Sequence, residues 1–131
     1  MINVLIVENL EKLSRIYRGR ILRTFYGKIG VDIASNSMEA LEKIKQGRHY
    51  DIIVIDMQMP FASGITLGQA LRRAGFRNLL IAHTALGIQS AKEAMIKGKM
   101  DGFSVKSATG HGLLKILKHY RPYITPQALA A

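Results

Sequence analysis

The stretch Asp51-Ile52-Ile53-Val54-Ile55-Asp56-Met57 decides the fold. Its four consecutive apolar residues lack the alternation of a half-exposed strand, and the run is too short for a buried helix. It therefore predicts a central strand that helices cover on both faces of a sheet. Asp56 would then lie at the carboxyl end of that strand.

Similar short apolar runs lie on both sides of this stretch, at residues 2–7, 31–34, 79–82 and 103–106. Between the runs, apolar residues recur at three- and four-residue steps, as Leu13, Tyr17 and Ile21 do, which is typical of one face of a helix. Pro122 is expected to end the last helix. Strict alternation of strand and helix predicts an α/β fold, a doubly wound five-stranded parallel sheet with helices on both faces.

Size and composition fit one domain of 131 residues. The absence of cysteine excludes disulfides and thiolate metal sites and fits a reducing compartment. Glu8 comes too early for a signal peptide, and no apolar run approaches the roughly 20 residues that cross a bilayer. We therefore expect a soluble, cytoplasmic protein with no membrane partner. The net charge of +10 suggests either an acidic partner or a solubilising bias over the outer helix faces.

Polar residues follow the predicted strands where each strand ends. In an open parallel sheet, ligands bind outside the carboxyl ends of the strands, so these side chains should converge on one cleft. They are Glu8 and Asn9, Asp56, Thr84, and Lys106.

The chemistry of these side chains fits phosphoryl transfer. A carboxylate such as Asp56 can attack a phosphoryl group and form an acyl phosphate, while Mg²⁺ and a lysine neutralise the oxygens. Thr84 can donate a hydrogen bond to a bound phosphoryl oxygen. Taken singly, each residue is more often a turn former, a helix cap or a surface group, but together they favour a functional site. The Mg²⁺ ligands would be Glu8, Asn9, Asp56 and the backbone carbonyl of Gln58.

Four segments of the chain resemble the bacterial response-regulator receiver domain. They are Val-Leu-Ile-Val-Glu-Asn (4–9), Ile-Val-Ile-Asp-Met-Gln-Met-Pro-Phe-Ala-Ser-Gly (53–64), His-Thr-Ala (83–85) and Asp-Gly-Phe-Ser-Val-Lys (101–106). The resemblance implies a receiver domain at residues 1–121, followed by a tail or the start of a linker at residues 122–131.

The same resemblance implies a role for each site residue. Asp56 would accept a phosphoryl group from a sensor histidine kinase or a phosphotransfer protein, and Lys106 would pair with that group. Thr84 would move toward the group and leave space into which Phe103 rotates. This switch would change the face formed by the fourth helix, the fifth strand and the fifth helix, which controls a partner or an output domain. Such a domain is no enzyme, since it catalyses at most its own phosphorylation and dephosphorylation.

Two positions depart from the family pattern. Asn9 stands where a second acid is usual, so Mg²⁺ affinity should fall, and a degenerate receiver that acts as a phosphorylation-independent interaction module is the alternative. Lys106 is followed by Ser107 instead of the frequent proline. Together with residues 123–130, that segment resembles receivers that precede a LuxR-type helix-turn-helix. Contact with DNA is then expected only through such an output domain, outside this chain.

The basic residues suggest partner surfaces. Lys12, Arg15, Arg18 and Arg23 lie off the apolar face of the first helix, and Lys115, Lys118 and His119 share one side of the last. Each set is either a solvated face or a surface for a partner, and on the last helix the partner would be an acidic protein or a second copy of the chain. Nucleic-acid binding rests on charge alone. A small nucleotide-binding enzyme ranks lower, because the chain has no Walker-type loop and no G-x-G-x-x-G after the first strand.

Overall fold

Residues 1–59, 63–85 and 87–130 are described by a computed structural model, the last eight of them by their backbone alone. Pro60, part of the predicted loop after the third strand, lies outside these ranges. Strands and helices alternate in the described part, which confirms the predicted pattern. The elements are β1 (Ile2–Val7), α1 (Glu11–Thr24), β2 (Ile29–Ala34), α2 (Ser37–Lys45), β3 (Ile52–Asp56), α3 (Gly64–Arg73), β4 (Leu79–Thr84), α4 (Ile88–Lys97), β5 (Gly102–Val105) and α5 (His111–Ala130).

The five strands form one parallel sheet in the order β2-β1-β3-β4-β5. Every residue of β3, the central strand, is buried, as its continuous apolar run predicts. Strand order reverses between β1 and β3, so their carboxyl ends flank the crevice in which such sheets bind ligands. The predicted doubly wound α/β fold is confirmed.

Two apolar cores lie on opposite faces of the sheet. One packs α1 and α5 against the sheet and includes Tyr17, Ile21 and Leu117. The other packs α2, α3 and α4 against the sheet and includes Leu67 and Leu71. Because successive side chains of a strand point to opposite faces, each strand contributes to both cores.

The start of α2 shows how local sequence sets a helix boundary. The Asn36 side chain accepts a hydrogen bond from the backbone N–H of Glu39 at 2.8 Å. The Glu39 carboxylate accepts one from the backbone N–H of Ser35 at 2.9 Å. This reciprocal cap satisfies two backbone N–H groups and sets the start of α2.

The prediction that Pro122 ends the last helix is wrong, because α5 continues through it to Ala130. Proline lacks an N–H and so removes one hydrogen bond, but its fixed φ suits a helix. No glycine or asparagine follows before the end of the chain, so nothing favours the left-handed residue that commonly terminates a helix. The boundary between residues 121 and 122 falls inside this helix. The assignment of residues 122–131 to a tail or linker stays a prediction.

Within the described part of the chain, none of the helices combines the length and the apolar character that crossing a bilayer requires.

Candidate functional site

The carboxyl edge of the sheet brings four of the predicted site residues together. Asp56 is the last residue of β3 and Thr84 the last of β4, while Glu8 directly follows β1 and Lys106 directly follows β5. Val7 pairs with Ile55 across β1 and β3, which places Glu8 beside Asp56. The topology therefore assembles residues that lie up to 98 positions apart in the sequence.

One ammonium group serves two buried carboxylates. Lys106 Nζ donates a hydrogen bond to Asp56 Oδ2 at 2.8 Å and lies 3.2 Å from Glu8 Oε1. Both carboxylate side chains are only 1% exposed. Asp56 Oδ1 accepts a second hydrogen bond, at 3.0 Å, from the backbone N–H of Gln58. Like charges are thus held together where water does not screen them.

The pKa values of the two carboxyls move in opposite directions. Burial raises the pKa of Glu8, and the neighbouring Asp56 raises it further. Burial also acts to raise the pKa of Asp56, but the hydrogen bonds from Lys106 and from the backbone of Gln58 hold it below its ordinary value. For Lys106, burial opposes the charged form, yet the two carboxylates raise its pKa. Asp56 is therefore an anion at neutral pH, as a nucleophile must be.

The two carboxylate oxygens of Glu8 have different surroundings. Its Oε2 accepts a hydrogen bond from the backbone N–H of Leu10 at 3.2 Å, whereas its buried Oε1 has the Lys106 ammonium 3.2 Å away but outside hydrogen-bond geometry. The residue at the start of α1 is Leu10, without a side-chain cap, so Glu8 and Asn9 do not cap this helix. Two adjacent carboxylates, one of them with an oxygen that has an ion pair but no well-oriented hydrogen bond, fit the oxygen ligands that Mg²⁺ prefers.

Only two of the candidate Mg²⁺ ligands, Glu8 and Asp56, are carboxylates. Over residues 1–59, 63–85 and 87–130, no group of three or more His, Cys, Asp or Glu could hold a metal ion. Asn9 is half-buried and directly follows Glu8, so it supplies an amide where a third carboxylate would complete such a group. A metal here would rely on neutral oxygens and water for its remaining ligands.

The Gln58 side chain forms a hydrogen bond with Thr84 that the sequence pattern does not predict. Gln58 Nε2 donates to Thr84 Oγ1 at 3.0 Å, and Gln58 Oε1 accepts from the backbone N–H of Ala85 at 3.4 Å. The sequence predicts a role only for the backbone carbonyl of Gln58. The available signal was its position two residues after Asp56, at the same edge of the sheet as Thr84. A movement of Thr84 toward a bound group would lengthen or break this bond.

Phe103 lies on the same face of the sheet as Thr84. It pairs with Ala82, two residues before Thr84, and side chains two apart on a strand share a face. Phe103 is half-buried against the core under α2, α3 and α4. The neighbouring strands β4 and β5 therefore carry the two residues of the expected switch on one side.

His83 points to the face of the sheet opposite to that of Thr84, because successive side chains of a strand alternate. Its Nδ1 lies 2.6 Å from Ser104 Oγ, and its ring meets Tyr17 edge-on at 5.3 Å between centroids. Burial lowers the pKa of His83 to about 4, so the imidazole is neutral at pH 7. The hydroxyl of Tyr17 in turn donates to the backbone carbonyl of Ser107 at 3.0 Å, which fixes the segment after Lys106.

Comparison with known proteins agrees with this fold. The family model of the response regulator receiver domain matches residues 4–118. The two-component response regulator ORR41 of Oryza sativa subsp. japonica is 29% identical over 122 residues, which are 92% of this chain and 95% of that protein.

Solved structures give the same result. The co-crystal structure of the Saccharomyces cerevisiae histidine phosphotransfer signalling protein Ypd1 and the receiver domain of its downstream response regulator Ssk1 contains a similar chain. That chain has a TM-score of 0.71 and 27% identity, over 87% of this chain and 84% of that one. The response regulator TrrA of Thermotoga maritima, in complex with Mg(2+)-BeF, has the same fold, with a TM-score of 0.75 and 23% identity over 91% of this chain and 98% of that one. The chain belongs to the response regulator receiver domain family, the receivers of two-component phosphorelay signalling.

Proposed function

We propose that Asp56 is the phosphoryl acceptor of this receiver. The observation that carries the proposal is a buried, anionic Asp56 carboxylate hydrogen-bonded to Lys106 at the ligand-binding edge of the sheet. A carboxylate oxygen would attack the phosphorus of a phosphohistidine, form the P–O bond of an acyl phosphate and release the imidazole as its P–N bond breaks. Lys106 would neutralise charge on the transferred group.

Mg²⁺ would be held by the carboxylates of Glu8 and Asp56, the amide oxygen of Asn9 and the backbone carbonyl of Gln58. When bound, the metal would neutralise charge on the phosphoryl oxygens. The buried Glu8 Oε1, which has an ion pair with Lys106 but no hydrogen bond of good geometry, supports this set. Because Asn9 brings no charge, we expect binding to need more Mg²⁺ than a site with three acids would.

The switch would run from Thr84 to Phe103. Thr84 would exchange its bond with Gln58 for one with the phosphoryl group, and Phe103 would move into the space that opens on the same face of the sheet. Because Lys106 donates its backbone N–H to the carbonyl of Thr84 at 2.8 Å, β4 and the end of β5 would shift together. The surface of α4, β5 and α5 would then change for a partner.

The partners of the site would be a sensor histidine kinase or a histidine phosphotransfer protein. The similarity to the Ssk1 receiver, which crystallised with Ypd1, supports this class. A receiver of this family is not a classical enzyme, and its catalysis would be limited to its own phosphorylation and dephosphorylation. A docking module that works without phosphorylation is not favoured, because Asp56, Thr84 and Lys106 are all in place. A cytoplasmic location, an acidic protein or a second copy at α5, and a DNA-binding output domain stay predictions from the sequence.

Intact-mass spectrometry after treatment with acetyl phosphate and MgCl₂ tests the proposal. We expect one added phosphoryl group on the parent protein, none on Asp56→Asn, and strong loss of the product when EDTA removes the metal. Equal modification of the parent and Asp56→Asn would place the reaction elsewhere. No modification of the parent, even with the Asn9→Asp substitution and excess MgCl₂, would favour the docking module.

A further inference from the structure

The positive charge of the chain is concentrated on one side of the sheet. Helices α1 and α5 share a core there, whereas α2, α3 and α4 cover the other side. With the turn after α1, these two helices hold nine of the 19 Lys and Arg but only one of the nine Asp and Glu. The remaining ten basic and eight acidic residues nearly balance. We call the charged side the basic face, formed by Lys12, Arg15, Arg18, Arg20, Arg23, Lys28, Lys115, Lys118 and Arg121.

Most of the described side chains of the basic face are exposed, and several of them have no carboxylate within ion-pair distance. Arg15 pairs with Glu11, the single acid of these two helices. Elsewhere in the described residues of this face, no carboxylate lies within ion-pair distance of Arg23, Lys115 or Lys118, and all three are exposed.

The opposite side of the sheet differs, because several of its cations have acidic partners. They include the pairs Arg72 with Asp101 and Lys97 with Glu93. An anionic ligand of the basic face would therefore meet several positive charges that no neighbouring carboxylate already neutralises.

The two helices of the basic face form one continuous surface. The guanidinium of Arg121, on α5, lies 5.5 Å from the ring centre of Phe25, the residue at the C-terminal end of α1. A helix of 14 residues such as α1 extends about 21 Å. Over that length, duplex DNA presents roughly 12 phosphate charges, one per 1.7 Å of its axis. The four arginines of α1 carry planar guanidinium groups, which suit phosphate oxygens.

The two helices of the basic face lack the exposed apolar groups that other acidic partners would need. Among the described side chains of α1 and α5, no large apolar one is exposed; Leu10 and Tyr26 are exposed beside α1. Protein interfaces depend on aromatic or other large anchors near their centre, and membrane-surface helices insert apolar side chains. We propose that the basic face binds the phosphate backbone of double-stranded DNA without reading its sequence.

Charge-neutralising variants test this proposal. Arg23→Gln/Lys115→Gln/Lys118→Gln removes three charges from the basic face, and Lys45→Gln/Arg73→Gln/Lys92→Gln removes three exposed charges from the opposite side. Both lower the formal net charge from +10 to +7 and carry the same substitution types. The two variants differ only in where the lost charges lie.

Fluorescence anisotropy with a labelled duplex of about 20 base pairs would measure binding from about 50 to about 200 mM salt. For about six phosphate contacts, log K should fall with log salt with a slope of about −5. The basic-face triple should have a slope shallower by about 2.7 and at least tenfold weaker binding at low salt, while the opposite-side triple should follow the parent. Asp56→Asn should bind as the parent does, so this test and that of the phosphoryl acceptor fail independently.

Three results would overturn the proposal. One is the absence of salt-dependent binding by the parent. Another is equal weakening in both triples, which would make the binding a product of diffuse net charge. The third is tighter binding of an RNA duplex of the same sequence, of poly-glutamate or of anionic phospholipid vesicles than of the DNA, which would assign the face to that partner.

Discussion

At the amino edge of the sheet, Asp51 and Asp101 each precede a strand and accept a backbone N–H from the neighbouring strand. Asp51 Oδ2 accepts from Asn3 at 2.8 Å, and Asp101 Oδ2 accepts from Leu80 at 2.9 Å. Asp101 is also paired with the guanidinium of Arg72 at 2.9 Å. These carboxylates have donors of their own, and they tie adjacent strands together.

The carboxyl edge uses its carboxylates differently. Glu8 and Asp56 share the ammonium of Lys106, and Glu8 Oε1 has that ammonium at 3.2 Å but no hydrogen bond of good geometry. Because two carboxylates are buried side by side there, their repulsion and desolvation lower the free energy of unfolding. The carboxylates of the amino edge stabilise the pairing of adjacent strands, whereas those of the carboxyl edge are arranged to bind a ligand.

Replacing Lys106 should have the largest effect. In Lys106→Met, the rate of phosphorylation by acetyl phosphate should fall about 100- to 1000-fold, because the transferred group loses its cationic partner. The free energy of unfolding should also fall, since two buried carboxylates lose their shared cation. Intact mass against time and urea unfolding measure the two effects. Lys97→Met, at an exposed pair with Glu93, is the control and should change neither.

The contrast between the edges extends to their histidines. His83 has a pKa of about 4 when folded against 6.5 as its ordinary value, whereas His49 at the amino edge is exposed beside Asp51. Between pH 6.5 and about 4, His83 is therefore protonated in the unfolded chain but neutral in the folded chain. Stability is lost as the pH falls below about 6.5, by about 3 kcal/mol at pH 4.

Urea unfolding at several pH values between 7 and 4 checks this loss. His83→Leu/Ser104→Ala replaces both polar partners with apolar groups and should flatten the dependence. His49→Gln should leave it as in the parent. Parallel curves for the parent and the double variant would show that His83 is not the cause.

Adding a third acid at the carboxyl edge should tighten the metal site. In Asn9→Asp, the Mg²⁺ concentration that gives half-maximal phosphorylation should fall about tenfold, because a charged ligand replaces a neutral one. Without Mg²⁺ the variant should unfold more easily, since another like charge joins Glu8 and Asp56. Asn36→Asp, at an exposed helix cap, makes the same change in net charge and should leave the Mg²⁺ dependence unaltered. An unchanged Mg²⁺ requirement in Asn9→Asp would remove Asn9 from the ligand set.

The smallest effect concerns Gln58. In Gln58→Ala, Thr84 Oγ1 loses a bond that its movement toward the phosphoryl group would break, so phosphorylation should become about two- to fivefold faster. The backbone carbonyl that could bind Mg²⁺ is kept. Gln46→Ala, at an exposed helix end, is the control. A slower reaction in Gln58→Ala would mean that the carboxamide assists the transfer.

Much of this site could be predicted because the topology of a parallel sheet determines which residues meet at its carboxyl edge. Once short apolar runs are recognised as parallel strands, Glu8, Asp56, Thr84 and Lys106 must meet at one edge, however far apart they are in the sequence. The Gln58 side chain could not be placed in this way, because an exposed carboxamide chooses its partner only after the strands have assembled.

Local packing adds details that the apolar pattern does not predict. In α4, Ile88 is 63% exposed, and the buried residues are Ala91 and Ala94. Three apolar residues define the phase of a short helix poorly, and small alanines pack where the neighbouring element comes close. The second strand begins at Ile29, two residues before the predicted run at residues 31–34, because pairing with β1 overrides the weak strand preference of Gly30.

The most direct test of the account compares Asp56→Asn with Asp51→Asn, which make the same chemical change at the two edges. Each variant is treated with acetyl phosphate and MgCl₂ and weighed intact, and its free energy of unfolding is measured in urea. We predict no phosphoryl group and unchanged or higher stability for Asp56→Asn, and normal phosphorylation with a loss of about 1 kcal/mol for Asp51→Asn. Phosphorylation of Asp56→Asn, or a loss of stability in it that matches that of Asp51→Asn, would contradict the account.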